Sequence, residues 1–355
     1  MYQKWMIKLT TKNKTILLVS KEYPPQLGGA GVIAHNIHKT LKDECQRVIL
    51  ISSNSKLWFL FMFLKLKYFS FIEKNKTIII NDVGAMYICG LALNRKEIKK
   101  SILWLHGSEK EKAFKTKSKI KKLIFFKEIN LFVFKNVKFR VFVSNFLKKK
   151  FSDIVCLNGD SIVIPNSISE VFINNANSYN TKVQAIDENI RILTISRIIK
   201  DKGYFRFLEV FKMLPKNYSW TIVGDGPDLA SLKNKIKDYH LSDRVNFLGK
   251  KSQKQLVPLY FSHNVFVLLS DFEESFGLVY IEALYCGLPV LANKKGALAE
   301  VLQSLSGVNF VSPSDNNETV YNTLISLLSN QNQNQNQISD KFGINKFSTN
   351  LNKII

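Results

Sequence analysis

Short apolar runs rich in β-branched residues recur along this chain. They alternate with longer segments whose apolar positions repeat every three or four residues. The first series of runs lies at 15–20, 47–52, 77–80, 102–107, 139–144 and 161–166. A second series follows at 190–196, 219–224, 245–249, 265–270, 288–292 and 308–311. Strand-like runs separated by helical periods predict parallel sheets covered by helices, the α/β class. The stretch between the series is polar, Asn-rich and without periodicity, as a linker would be. The pattern therefore predicts an N-terminal domain over 1–172, a linker at 173–189, a C-terminal domain over 190–335 and a closing segment, 336–355, that packs back on the first domain. The "NQNQNQNQ" repeat at 330–337 reads as a low-complexity loop.

A length of 355 residues agrees with two domains, and 46% hydrophobic with 22% charged residues agrees with two ordinary cores. The formal charge of +23 adds a new element. Between residues 95 and 150 there are 18 Lys/Arg against 4 Asp/Glu, a net of +14, so most of the excess sits in one region. A membrane surface, an anionic substrate or nucleic acid would each suit such charge, and an AT-rich genome would also enrich lysine. No zinc-finger, RNP-type or helix-turn-helix pattern is present, which argues against nucleic acid. Basic segments at 110–127 and 146–151 interleave lysines with Phe and Ile, as a helix lying on an anionic membrane would. The scattered cysteines Cys45, Cys89, Cys156 and Cys286 suggest a reducing cytosol, with no disulfide framework or zinc site. The run at 15–20 is too short for a signal peptide. The greasiest block, 57–64, is far below the roughly 20 residues of a membrane span. The expected location is cytoplasmic, or peripheral on the inner face of a membrane.

Candidate chemistry gathers at the ends of the strands. In "LLSDFEESFGLVYIEALYCGLPVLA" (268–292), Leu278, Ile281, Tyr285 and Leu288 mark one helix face, so a helix should begin near 275–277. The amides of Phe276, Gly277 and Leu278 would then head that helix and form an anion site. Glu274 and Glu282 flank it, as hydroxyl acceptors or simply as solvated surface residues. In "ISRIIKDKG" (195–203), Arg197 and Lys202 follow a strand and could reach a diphosphate. "IVGDGPD" (222–228) offers Gly224, Asp225 and Gly226 as a turn able to cradle a nucleotide. In "YPPQLGGAGVIAHNIHKTL" (23–41), the spacing of Gly29, Gly31 and Ala34 literally meets a dinucleotide fingerprint. The distance from the strand and the missing acidic residue after "ISSN" exclude NAD there, leaving Gly28 and Gly29 as a loop that approaches a phosphate. His106 in "LWLHGSE" stands at a strand's carboxyl end. His35 and His38, spaced i, i+3, have no acidic or Cys partner that would make them a metal site.

The order of these pieces, ending in "EESFGLVYIEALYCGLPVLA", resembles the retaining glycosyltransferases of family 4, the glycosyl transferases group 1. The resemblance is strongest from about 190 to 302. It implies two facing Rossmann-like domains, the GT-B fold, with a nucleotide-diphosphate sugar as co-substrate and neither metal nor other cofactor. It also implies roles. Arg197 and Lys202 would hold the diphosphate, with the Gly277 and Leu278 amides near it, and Glu282 would take the ribose. Glu274 would contact the transferred sugar, His106 would face that sugar, and Gly29 would line the cleft from the other domain. The acceptor would be a glycan or a lipid-linked glycan of the cell envelope. An epimerase or a non-catalytic membrane protein could use the same fold. One departure stands out: "KKGALAE" keeps only Gly296 and Glu300 of the family's Gly-Gly-x-x-Glu stretch.

Overall fold

A computed structural model describes residues 14–24, 29–44, 46–107, 109–114, 118–152, 161–179, 189–329 and 335–355. The chain forms two compact α/β units. One comprises the residues up to Ser167 together with Ile344–Ile355, and the other comprises Ile168–Gly343.

The N-terminal unit holds six parallel strands: β1 (Thr15–Val19), β2 (Arg47–Ile51), β3 (Lys76–Ile80), β4 (Ile102–Leu105), β5 (Phe139–Phe142) and β6 (Ser161–Val163). Their order across the sheet is β2-β1-β3-β4-β5-β6. The C-terminal unit holds β7 (Ile190–Ile195), β8 (Tyr218–Val223), β9 (Val245–Gly249), β10 (Val265–Leu268), β11 (Val290–Asn293) and β12 (Val308–Val311). They too are parallel, in the order β12-β11-β10-β7-β8-β9. Each strand coincides with one apolar run of the sequence. Central strands such as β1 and β10 are buried along their whole length, as parallel strands covered on both faces must be.

Helix periodicity builds the covering layers. In the helix Tyr204–Phe211, residues Tyr204, Phe207, Leu208 and Phe211 lie on one face and all are buried. They close around Trp220 on β8, whose ring meets Phe207 edge-on at a centroid distance of 5.0 Å. In the N-terminal unit Phe134, Phe142 and Phe151 form the matching aromatic core.

Three boundaries differ from the sequence reading. The expected linker begins inside a helix, Glu170–Ser178, which Ser169 caps by accepting the Phe172 amide at 3.1 Å. That helix buries only Phe172 and Ala176, too few to leave a periodic trace. Residues 180–188 of the linker lie outside the described residues. The closing segment is two helices rather than one piece. Gln335–Phe342 stays with the C-terminal unit, where Phe342 packs on Phe276, whereas Ile344–Asn352 joins the N-terminal unit through Phe347 against Trp104. The part of the Asn/Gln repeat from Gln335 onward is therefore helical.

The basic stretch 110–127 is not one helix. Its described part includes a short helix, Lys119–Leu123, and the start of another, Phe126–Asn136, with Phe125 between them at φ 51°. Residues 115–117 lie outside the described residues. The aromatic block after β2 forms a 15-residue helix, Trp58–Ile72. Among the described residues no helix is long and apolar enough to cross a membrane.

Candidate functional site

Counting from β7, the C-terminal sheet reads 3-2-1-4-5-6 across the strands. The chain runs outward from β7 through β8 and β9, then returns to the other side of β7 at β10. Such a reversal opens a crevice beyond the carboxyl ends of the two central strands. The loops there are 196–203 after β7 and 269–277 after β10, and they carry Arg197, Lys202 and Glu274.

These loops are tied to one another by the backbone. The amides of Asp271 and Phe272 donate to the Asp201 carbonyl at 2.7 and 3.0 Å. Asn293, fully buried at the end of β11, donates its Nδ2 to the carbonyls of Leu269 and Ser270 and to the Asp271 carboxylate. Its Oδ1 accepts from Arg206, whose other nitrogen donates to the Ser312 and Asp315 carbonyls. Neither Asn293 nor Arg206 was singled out from sequence. A buried Asn closing the apolar run "LPVLA" is the one signal that could have marked them.

Lys202 and Glu274 form an ion pair, Nζ to Oε1, with both side chains about one-seventh exposed. The Lys202 ammonium also lies 5.2 Å from the Phe272 ring centre. Arg197 is exposed on the same loop as Lys202. A partly enclosed lysine paired with one carboxylate can exchange that partner for a phosphate oxygen, and the exposed guanidinium adds a second donor fork.

The glycines do something the sequence did not reveal. A Cβ on Gly224 (φ +142°) would lie 1.9 Å from the Ser196 carbonyl oxygen, and one on Gly226 would lie 2.1 Å from that of Ile198. These two glycines therefore let the turn after β8 press against the backbone of the loop carrying Arg197. The Ile198 amide donates to the Asp225 carbonyl at 3.0 Å. The Asp225 side chain faces Lys250 at 3.6 Å and accepts the Gly226 amide at 2.8 Å. Gly277 (φ +86°) is similarly enclosed by Leu298 and Tyr280, at 2.6 and 2.8 Å from a built Cβ. Phe276 is buried, and the helix beyond Gly277 is Leu278–Tyr285, slightly later than its expected start. Tyr280 in its first turn donates to the Gly277 carbonyl at 3.1 Å, whereas the Leu278 and Val279 amides that precede it have no acceptor within the helix.

Glu282 lies in that helix and is only 4% exposed, so it is not the surface residue that one sequence reading allowed. Tyr260 donates its hydroxyl to Oε2 at 3.0 Å, and Gln253 approaches Oε1 at 3.5 Å. Gln253 in turn accepts from the Ser169 hydroxyl at 2.8 Å. Burial pushes the Glu282 carboxyl up to about 7, although both hydrogen bonds pull the other way. Tyr260 and Gln253 come from the helix Gln253–Ser262, too far along the chain for spacing to connect them with Glu282.

In the N-terminal unit the strand order 2-1-3-4-5-6 puts the reversal between β1 and β3. Asn81, just after β3, donates to the Ser20 hydroxyl at 3.1 Å and to the Ala30 carbonyl at 3.0 Å. Its Oδ1 faces His106 Nε2 at 3.1 Å. Removal of the ring from water pulls His106 down to about 4, so the imidazole is neutral at neutral pH. Asp82 accepts the Lys21, Glu22 and Ala85 amides, and Glu109 accepts those of His106 and Gly107. Gly29 begins the helix Gly29–Asp43, and a Cβ built on it meets nothing within 4 Å. Gly28 lies outside the described residues. His35 and His38 both face the Tyr23 hydroxyl, at 3.4 and 2.6 Å. Among the described residues no group of three or more His, Cys, Asp or Glu could hold a metal ion.

Comparison with known proteins bears on both units. Residues 177–342 match the family "Glycosyl transferases group 1". A curated relative, N-acetyl-alpha-D-glucosaminyl L-malate synthase of Bacillus anthracis, is 33% identical over 165 residues, 45% of this chain and 42% of the relative. The aligned stretch thus spans less than half of that relative's length. Among solved structures, sucrose-phosphate synthase of Thermosynechococcus elongatus superposes with a TM-score of 0.73 at 16% identity, covering 96% of this chain and 98% of that one. Anabaena Alr3699/HepE, in complex with UDP-glucose, gives 0.69 at 19% identity over 96% and 98%. At such identities the structural likeness speaks for the fold alone. Residues 177–342 thus match the group 1 glycosyltransferases, and the two Rossmann-like sheets that the chain shares with these structures give it the GT-B fold.

Proposed function

We propose that the protein is a retaining glycosyltransferase of hexosyltransferase type, moving a sugar from a nucleotide-diphosphate sugar to a glycan or lipid-linked acceptor in cell-envelope polysaccharide synthesis. The observation that carries this reading is the Lys202–Glu274 pair, with the exposed Arg197 on the same loop as Lys202, at the strand reversal of the C-terminal sheet. Leaving-group departure develops charge on the diphosphate. Lys202, Arg197 and the amides heading the helix Leu278–Tyr285 stabilise that charge without covalent chemistry. Released from Lys202, Glu274 accepts hydroxyls of the transferred sugar, and Glu282 accepts those of the ribose. His106, neutral at working pH, offers a hydrogen bond rather than a proton. The UDP-glucose complex of the Anabaena protein supports a donor of this class. No metal ion or other cofactor is needed on this reading. The basic region 95–150 would bring the enzyme to an anionic membrane surface, where a lipid-linked acceptor resides.

The test is turnover with a panel of nucleotide sugars. Lys202→Ala and Glu274→Ala should each lower kcat/KM about a hundredfold to a thousandfold. Chelator should leave the rate unchanged, and NMR of the product should show the donor's anomeric configuration. Unaltered turnover in both variants would refute the assigned roles. Co-sedimentation with vesicles tests the membrane part: binding should need anionic lipid and weaken with salt.

A further inference from the structure

The helix Trp58–Ile72 is apolar nearly all round yet buries only Met62 and Leu66. With 100° per residue, Leu60, Phe61, Leu64, Tyr68, Phe71 and Ile72 fall on one face of about 120°. That face lies away from Met62 and Leu66, and all six residues are exposed, Phe71 to 76%. Lys65 and Lys67 project along its two flanks, and both are exposed.

A second apolar tip lies next to it. Leu123 (79% exposed), Ile124 and Phe125 stand out at the join of the helices Lys119–Leu123 and Phe126–Asn136. Tyr87 connects the two: its ring is 6.3 Å from Phe59 and 4.7 Å from Phe126, and its hydroxyl donates to the Ile124 carbonyl. Residues 56–72 and 118–127 together hold seven lysines and no carboxylate.

We infer that the helix Trp58–Ile72 and the 123–125 tip together form a membrane-docking surface that seats in the headgroup region of an anionic bilayer. This inference rests on the membrane reading proposed above and names the surface that makes the contact. A soluble chain rarely leaves so large a contiguous apolar face in water. Fifteen residues of helix extend about 22 Å, short of the roughly 30 Å hydrocarbon core, so the helix lies along the interface. Lysines flanking an apolar stripe match acyl chains bordered by phosphate and carboxylate headgroups. A second copy of the chain fits poorly, because it would bring seven uncompensated lysines against seven more.

The test uses the full chain with vesicles of phosphatidylcholine alone or mixed with phosphatidylserine. The double variant Leu64→Glu/Phe71→Glu alters exposed positions only. It should keep the wild-type circular dichroism and thermal midpoint while binding anionic vesicles at least about tenfold more weakly. A Phe61→Trp variant should gain fluorescence quenching by brominated acyl chains beyond that of the unsubstituted protein, and Leu123→Ser/Phe125→Ser should weaken binding independently. If the wild type binds anionic vesicles and the glutamate variant binds equally well, the membrane reading stands and this surface is wrong. If the wild type ignores every vesicle, both fall. A wild-type dimer that the glutamate variant splits, with vesicle binding unchanged, would assign the face to a second copy and overturn the inference.

Discussion

At the strand reversal of the N-terminal sheet, the carboxylates serve the backbone: Asp82 and Glu109 accept main-chain amides, and the groups around them, Ser20, Asn81 and His106, are neutral. At the reversal of the C-terminal sheet Asp225 and Asp228 also accept main-chain amides, but two glutamates do not. Glu274 faces an ammonium, and Glu282 is held by Tyr260 with Gln253 nearby. Both sheets create a crevice by the same crossover geometry. What differs is where the charge goes. Backbone amides cannot be traded for a ligand without unravelling the loop. A lysine can be, and at the C-terminal reversal a described carboxylate of this comparison, Glu274, faces one.

The contrast can be tested by substitution. The largest effect is expected at Gly224→Ala. The added carbon would meet the Ser196 carbonyl oxygen at a positive φ, and the C-terminal unit should lose about 4 kcal/mol in denaturant unfolding. An unchanged midpoint would mean that the loop carrying Arg197 is not clamped from below. Next comes Glu282. Between its ordinary value of 4.5 and about 7, the folded chain keeps a proton that the unfolded chain has released. Stability should therefore fall by about 3 kcal/mol as pH rises through that window and level off above it. Glu282→Gln should flatten the curve, and a curve that rises with pH would contradict the burial described. In the N-terminal unit, Asn81→Ala strands the partners of one side chain and should cost about 2 kcal/mol. The smallest effect belongs to Gly29→Ala, whose surroundings are open, at under about 0.5 kcal/mol. If it matched Gly224→Ala, the two units would not differ as described.

How much of this could be read from sequence depends on how local the cause is. The twelve strands were legible because each is a β-branched run bounded by turns. The clustering of Arg197, Lys202 and Glu274 was legible because parallel strands carry their carboxyl ends to one edge. The burial of Glu282 was not, since Gln253 and Tyr260 reach it from another helix. Gly224 and Gly226 read as room for a ligand, yet the space is filled by residues 196 and 198, a contact made only by tertiary packing. The helix Trp58–Ile72 escaped helical reading because an apolar stretch without a polar face has no visible period. The short helix from Glu170 escaped because two buried residues leave no pattern.

The helix Ile344–Asn352 carries a consequence for the order in which the protein takes shape. Phe347 and Leu351 are buried in the N-terminal unit, Phe347 against the ring of Trp104, and Ser348 and Asn352 donate to Glu44. During synthesis, all of Ile168–Gly343 emerges before that helix exists. The unit translated first therefore receives its last packing element, against Trp104, only after its neighbour has been made.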